Sequence, residues 1–239
     1  MANVSSPQQL YLNVSLRTEA TFDNFFVSPL GKNQQVLAAL QNNLGRNEGG
    51  FLFLWGESGS GVSHLLQGAC HAMTSAKQTS AFLPLQELQG YAPEELLANL
   101  EQQALVCIDN LHYVAGKRHW ETALFHLFNR MREQQSILII GANANPYQLA
   151  IQLPDLQSRL QSGITFQVQA LNDEEKITAL RQNARSRGMD LSEEVAQFIL
   201  HRAPRDTNEL FSLLDILDER SLSDKRRLTI PFVKEVMSW

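Results

Sequence analysis

Residues 51–66 read FLFLWGESGSGVSHLL. The apolar run 51–55 has the composition of a buried strand. It breaks at Gly56-Glu57-Ser58-Gly59-Ser60-Gly61 and resumes as Val62-Ser63-His64-Leu65-Leu66. Strand, glycine-rich turn and helix in that order are the setting of a phosphate-binding loop, whose pattern is G-x-x-x-x-G-K-[ST]. In such a loop, backbone N–H groups freed by glycines wrap phosphate oxygens at a helix N-terminus. Gly56, Gly59 and Gly61 keep that device, and Ser63 keeps the hydroxyl that usually sits on Mg²⁺. Val62 stands where the pattern has Lys, so the ammonium that reaches the β- and γ-phosphates is missing. Ser58, Gly59, Ser60, Gly61, Val62, Ser63 and His64 are the candidate phosphate-side residues; without further motifs they would equally suit a turn that holds no ligand.

The whole chain bounds what surrounds this loop. Its 239 residues suffice for one large domain, or a medium one with a small companion. Hydrophobic residues make up 44% and charged residues 19%, as in an ordinary globular protein. No stretch approaches the roughly 18 consecutive apolar residues of a membrane helix. Residues 1–7 are polar and lack the basic-then-apolar order of a secretion signal, so a cytoplasmic location is expected. Cys70 and Cys107, both in apolar surroundings, fit buried thiols of a reducing compartment. A net charge of −5 argues against a broad non-specific grip on nucleic acid and leaves a local basic patch open. His119 and His126 can share a helix face, but no Cys or carboxylate joins them at ligand spacing, and no metal is expected there.

Between residues 34 and 170, strand-like runs at 51–55, 80–83, 104–108, 137–141 and 164–168 alternate with helical patterns. The runs are short and nearly unbroken by polar residues, as in parallel strands covered on both faces. Val36, Leu37, Leu40 and Leu44 mark one helix, and Leu124, Phe125, Leu127 and Phe128 another. The alternation predicts a three-layer α/β domain. From residue 171 the pattern is helical only. Asn172 or Asp173 caps a first helix that stops at Gly188, and Ser192 a second. Asp206 or Thr207 opens a third, and Pro231 sits in the first turn of a fourth. The expected organisation is an extended arm at 1–19, an α/β domain at 20–170 and a small all-helical domain at 171–239, hinged near 169–172. In the arm, Leu10, Leu12, Val14 and Leu16 alternate with polar residues. That suits either an edge strand of the sheet or a peptide offered to another protein.

Two further strand ends bear on the loop. The run 104–108 is followed by Asp109, which is how a Walker B strand presents its Mg²⁺ partner. The next residue, acidic in many such ATPases, is Asn110, whose amide is no base at neutral pH. The run 137–141 leads to Asn143, placed to sit beside a γ-phosphate or simply to turn the chain ahead of Pro146.

Together these motifs resemble the AAA+ branch of the P-loop NTPases, and specifically the DnaA family of bacterial replication proteins, over residues 20–239. Thr21-Phe22-Asp23-Asn24-Phe25 resembles the segment that closes over the nucleotide base, with Phe25 its candidate contact. Leu153-Pro154-Asp155-Leu156-Gln157-Ser158-Arg159-Leu160 resembles the motif that carries the family's arginine finger, at Arg159. The family's sensor-2 arginine aligns with Asn208, with Arg205 one turn earlier as candidate substitute. Gln9-Leu10-Tyr11-Leu12-Asn13 resembles the Q-L-x-L-P peptide by which one branch of the family binds the β sliding clamp of DNA polymerase III. Gln9, Leu10 and Leu12 are its candidate contacts, and Asn13 departs from the final Pro. The chain is also expected to lack the DNA-reading helix-turn-helix that the initiator carries beyond its lid, and any separate domain before the α/β region.

The resemblance implies an AAA+ three-layer sandwich with a parallel sheet, followed by a helical lid. It implies a nucleoside diphosphate, ADP, held as a structural ligand, with Mg²⁺ on Ser63 and Asp109, and little independent ATP hydrolysis. It further implies negative regulation of replication initiation: Arg159 would complete the ATP site of DnaA, in concert with the clamp on DNA. An arginine finger contributes about 10³–10⁵ in rate, whereas a surface salt bridge contributes about 1 kcal/mol at most. DNA contact is expected mainly through the clamp, and self-association is left open. The alternatives are a DnaC-like helicase loader, which would carry a longer extension and a P-loop Lys, a self-contained ATPase, or a purely structural AAA+ subunit.

Overall fold

A computed structural model describes residues 16–28, 31–46, 49–203, 207–224 and 226–239, with residue 208 described in its backbone alone. The arm's alternating stretch up to residue 15, the clamp-type peptide and Arg205 fall outside these residues. Five strands, β1 (Gly50–Trp55), β2 (Ser80–Pro84), β3 (Leu105–Asp109), β4 (Ile137–Ala142) and β5 (Ile164–Gln167), form one parallel sheet in the order β2-β3-β4-β1-β5. Around it run α1 (Asn33–Arg46), α2 (Val62–Ser75), α5 (Arg118–Glu133) and α6 (Pro154–Gln161), with the single turns α3 (Leu85–Leu88) and α4 (Pro93–Leu96). Four helices follow: α7 (Asp173–Ser186), α8 (Glu193–Arg202), α9 (Thr207–Asp224) and α10 (Ile230–Met237). The result is a three-layer α/β sandwich followed by a helical unit, as the sequence pattern predicts.

Strand periodicity assigns the two faces. Leu52 and Leu54, Leu105 and Cys107, and Ile137 and Ile139 pack with α1 and α2. Their alternates Phe53, Val106, Ile108, Leu138 and Ile140 pack with α5 and α6 around Trp120 and Leu127. The three central strands are buried along both faces, as expected for parallel strands under helices. The edge strand β5 departs from that expectation: most of it is exposed, Ile164 at 62%. Among the described residues it pairs with β1 alone. Among the described residues, no helix is long and apolar enough to cross a membrane.

The helical unit has its own core of Leu180, Ala184, Ile199, Leu210, Leu214, Leu217, Phe232 and Val233. Its helix starts follow the sequence signals. Asn172 accepts from the Glu175 N–H at 2.9 Å while Glu175 accepts from the Asn172 N–H at 3.0 Å, a reciprocal cap. Ser192 caps α8 and Thr229 caps α10. Gly188, at φ +77°, ends the turn after α7. The connection into this unit is clasped: the buried Asn33 side chain both donates to and accepts from the Gln169 backbone, each at 2.9 Å.

Two local devices position the regions that matter below. Glu121 on α5 has no exposed surface. Its carboxylate accepts the backbone N–H groups of Gly116 at 2.7 Å, Gln152 at 3.0 Å and Leu153 at 2.7 Å. It thereby fixes the loop that enters α6. Residues 16–28 are held against α2. The Arg17 N–H donates to Gln67 Oε1 at 2.9 Å, and His64 Nε2 lies 2.7 Å from the Thr21 carbonyl, which makes Nε2 the protonated nitrogen. Burial lowers the His64 pKa below 6.5, against the Thr21 bond and Glu19, which raise it; Arg17 and His71 add to the lowering.

Glu121→Ala leaves three backbone donors without their partner, so we expect a loss of about 3 kcal/mol in urea unfolding, with Glu121→Gln losing less. The His64 contribution has a defined sign. With its folded pKa below the unfolded value, stability is complete above about pH 6.5 and is lost as pH falls through the lowered value. Unfolding free energy measured from pH 8 to pH 5 should therefore decline more steeply for the unaltered chain than for His64→Gln.

Candidate nucleotide site

The turn after β1 lies at the carboxyl ends of the parallel strands, where open α/β sheets place their ligands. The Gly56 N–H bonds Ala142 O at 3.2 Å, and the Val168 N–H bonds Trp55 O at 2.7 Å, pinning the turn between its neighbours. A Cβ on Gly56 would lie 2.4 Å from Ser60 Oγ and 2.5 Å from the Val168 carbonyl. Gly61 has φ +97° and immediately precedes α2; a Cβ there would meet the Phe25 ring at 2.7 Å. The N–H groups at the start of α2 thus open into a cleft of about 690 Å³.

Ser58, Gly59, Ser60, Gly61, Val62, Ser63, His64, Asp109, Asn110 and Asn143 all line this cleft. Phe25 does not. Its ring lies beneath Gly61 and 5.6 Å from the His64 ring, so it supports the turn from behind. The Val62 side chain is buried, with Cγ1 against Gly141. Asp109 is buried beside Ser63, with which it hydrogen bonds, and accepts the Asn110 N–H at 2.8 Å. Burial raises its carboxyl above the ordinary value, while Ser63 and the Asn110 N–H lower it. Asn110 itself, at φ 59°, opens the 3-10 turn Leu111–Tyr113. Arg205 and the Asn208 side chain lie outside what is described.

The sequence reading missed several lining residues. His112 Nδ1 accepts the Asn143 N–H at 3.3 Å, so that imidazole is neutral, and burial lowers its pKa. Asn183, Arg187 and Asp215 come from the helical unit, Arg187 paired with Asp215. No local pattern marks these three, because only tertiary packing brings them to the loop.

The fit to a nucleotide rests on this chemistry. Ser60 Oγ is buried without a hydrogen-bond partner, at the heart of the glycine cradle. Ser63 and Asp109 form the hydroxyl–carboxylate pair that suits Mg²⁺, which takes one or two protein oxygens and completes its shell from phosphate and water. No group of three or more His, Cys, Asp or Glu among the described residues could hold a metal without such help.

Arg159 lies at the opposite end of the sheet. It lines a second cleft with Gly50, Phe51, Ser136, Gly163 and Ile164, at the amino ends of β1, β4 and β5. From Phe51 to Gly56 the chain runs about 16 Å, at about 3.3 Å per strand residue. The guanidinium lies 5.9 Å from the Phe128 ring centroid, and no carboxylate pairs with it among the described residues.

Comparisons with known proteins agree with this architecture. A family model of the bacterial DnaA ATPase domain matches residues 16–167, and one of the Hda lid domain matches residues 173–237. Domain III of the Thermotoga maritima DnaA superposes with a TM-score of 0.76 at 21% identity, covering 94% of this chain and 98% of that one. The AMPPCP-bound DnaA of Aquifex aeolicus gives 0.69 at 19% identity, over 88% of this chain and 71% of that one. A RuvB variant of Thermotoga maritima gives 0.66 at 18% identity, over 93% and 72%. These structural likenesses speak for the fold, and the family models for descent: the chain belongs to the bacterial DnaA ATPase family of AAA+ proteins and carries a lid of the Hda type.

Proposed function

We propose that this DnaA-related chain is a negative regulator of replication initiation: it holds ADP as a structural ligand and, with the β clamp loaded on DNA, donates Arg159 to the ATP site of DnaA. The observation that carries this is the placement of Arg159. It sits at the far end of the sheet from its own phosphate loop and has no carboxylate partner among the described residues. An arginine so placed cannot serve its own cleft and can reach a neighbour's.

The chain's own loop supports the division of labour. The residue in the P-loop Lys position is an apolar side chain turned into the core, and the residue after Asp109 is an amide. Both changes concern the γ-phosphate and the attacking water. The backbone N–H cradle that grips α- and β-phosphates is kept, with Ser60 Oγ buried and unpartnered beside it. Mg²⁺, held by Ser63 and Asp109, would offset the phosphate charge in the cleft. Clamp contact is assigned to Gln9, Leu10 and Leu12, in the manner of a short peptide whose apolar side chains enter a pocket.

ATP turnover by DnaA, measured with clamp on DNA, should rise when this protein is added and return to the basal rate with Arg159→Ala. Arg159→Lys should also fail, because an ammonium lacks the planar fork of a guanidinium. Both variants should keep their stability within about 1 kcal/mol, since the Phe128 stack is a part-exposed cation–π contact. Absence of stimulation by the unaltered protein would reject the regulator reading in favour of a structural AAA+ subunit or a loader.

A further inference from the structure

The wall of the cleft that faces the phosphate loop comes from α7 and α9, and one residue on it is out of character. Ala179, Leu180, Asn183 and Ala184 are the buried residues of α7. Leu180 and Ala184 belong to the core of the helical unit. Position 183 therefore has the spacing of an apolar residue, yet it carries a carboxamide that is only 8% exposed. Its Oδ1 is buried with no hydrogen-bond partner, and the residue lines the cleft. A buried acceptor left unmatched is costly to the fold and calls for a partner that the protein itself does not supply.

The chemistry of the missing partner is restricted. Oδ1 accepts and cannot donate. Phosphate oxygens at neutral pH are acceptors, so they can satisfy Ser60 Oγ across the cleft and cannot satisfy Asn183 Oδ1. Within a nucleotide, the donors are on the nucleoside: the exocyclic amine of the base and the ribose hydroxyls. Resting on the nucleotide reading of this cleft, we propose that Asn183 is a specificity-determining residue whose Oδ1 accepts a hydrogen bond from the nucleoside half of the ligand.

Calorimetric titration of nucleotide-stripped protein tests this, using ADP, inosine diphosphate and the 2′- and 3′-deoxy forms of ADP. Asn183→Leu and Asn183→Ala should each bind ADP about tenfold more weakly than the unaltered chain. The unaltered chain should bind one of the three analogues about tenfold more weakly than ADP, and the variants should bind that analogue and ADP alike. Weakened inosine diphosphate identifies the base amine as the donor, and a weakened deoxy form identifies the ribose. Nucleotide-free Asn183→Leu should melt no lower than the unaltered chain, because it removes an orphaned acceptor, whereas a carboxamide kept for folding would make it melt lower. Equal ADP affinity in the unaltered chain and both variants overturns the assignment, as does equal binding of all four ligands by the unaltered chain. Failure of the unaltered chain to bind ADP at all overturns the nucleotide reading itself, and this assignment with it.

Discussion

Everything in this protein turns on the end of β1. The strand lies between β4 and β5, and its last peptide groups are tied to both neighbours before the chain reverses into α2. Gly56 has a carbonyl and a hydroxyl where a Cβ would be, so the turn has one way to fold. Gly61 then takes a left-handed conformation directly above Phe25 and aims the first turn of α2. These close approaches align the helix N-terminus with the carboxyl edge of the sheet, and the cleft exists because of it. Residues 16–28 add a back wall through Phe25 and through the Thr21 carbonyl that holds His64, which accounts for Phe25 supporting the loop and not lining it.

Arg159, at the other end of the sheet, owes its placement to a different kind of interaction. A carboxylate with no solvent exposure is expensive unless its oxygens are satisfied. At Glu121, backbone N–H groups from either side of α5 supply the compensation. The interaction converts an irregular stretch into a fixed approach to α6, and α6 sets where Arg159 emerges over Phe128. So the two regions of interest depend on separate local devices, a crowded glycine turn and a buried acid. Under the proposed function, that separation lets one face lose its Lys and acidic residue while the other keeps its arginine.

Much of this was legible in the sequence for stated reasons. Apolar runs ending at Gly, Asp or Asn located β1, β3 and β4, because parallel strands under two helical layers have no solvent face to interrupt them. Asn172, Ser192 and Pro231 located helix starts because capping is a local interaction among residues within one turn. Other features were illegible for the converse reason. The exposure of β5 depends on its place in the strand order, which no local run encodes. The burial of Glu121 depends on Gln152 and Leu153, some thirty residues away, and the pattern around it reads as an ordinary exposed helical charge. The burial of Asn183 beside Leu180 and Ala184 likewise depends on how α7 packs, which no local run marks.

The cleft's charge also constrains how any phosphate could be held. Among the described residues its lining includes Glu19, Glu57, Glu87, Asp109 and Asp215 against Arg17 and Arg187, and Arg187 is already committed to Asp215. A diphosphate entering such a site meets more like charge than opposite charge among the side chains. Apart from a cation on Ser63 and Asp109, attraction at the described residues comes from fixed dipoles: the N–H groups of the turn and the first turn of α2, which act at short range on the phosphates nearest the loop. A third phosphate would extend beyond them without the ammonium that a working P-loop supplies, since Val62 stands in the Lys position. Under the proposed function, the same substitution that removes hydrolysis would therefore also favour the shorter ligand, giving retention of a diphosphate and loss of turnover a common electrostatic origin.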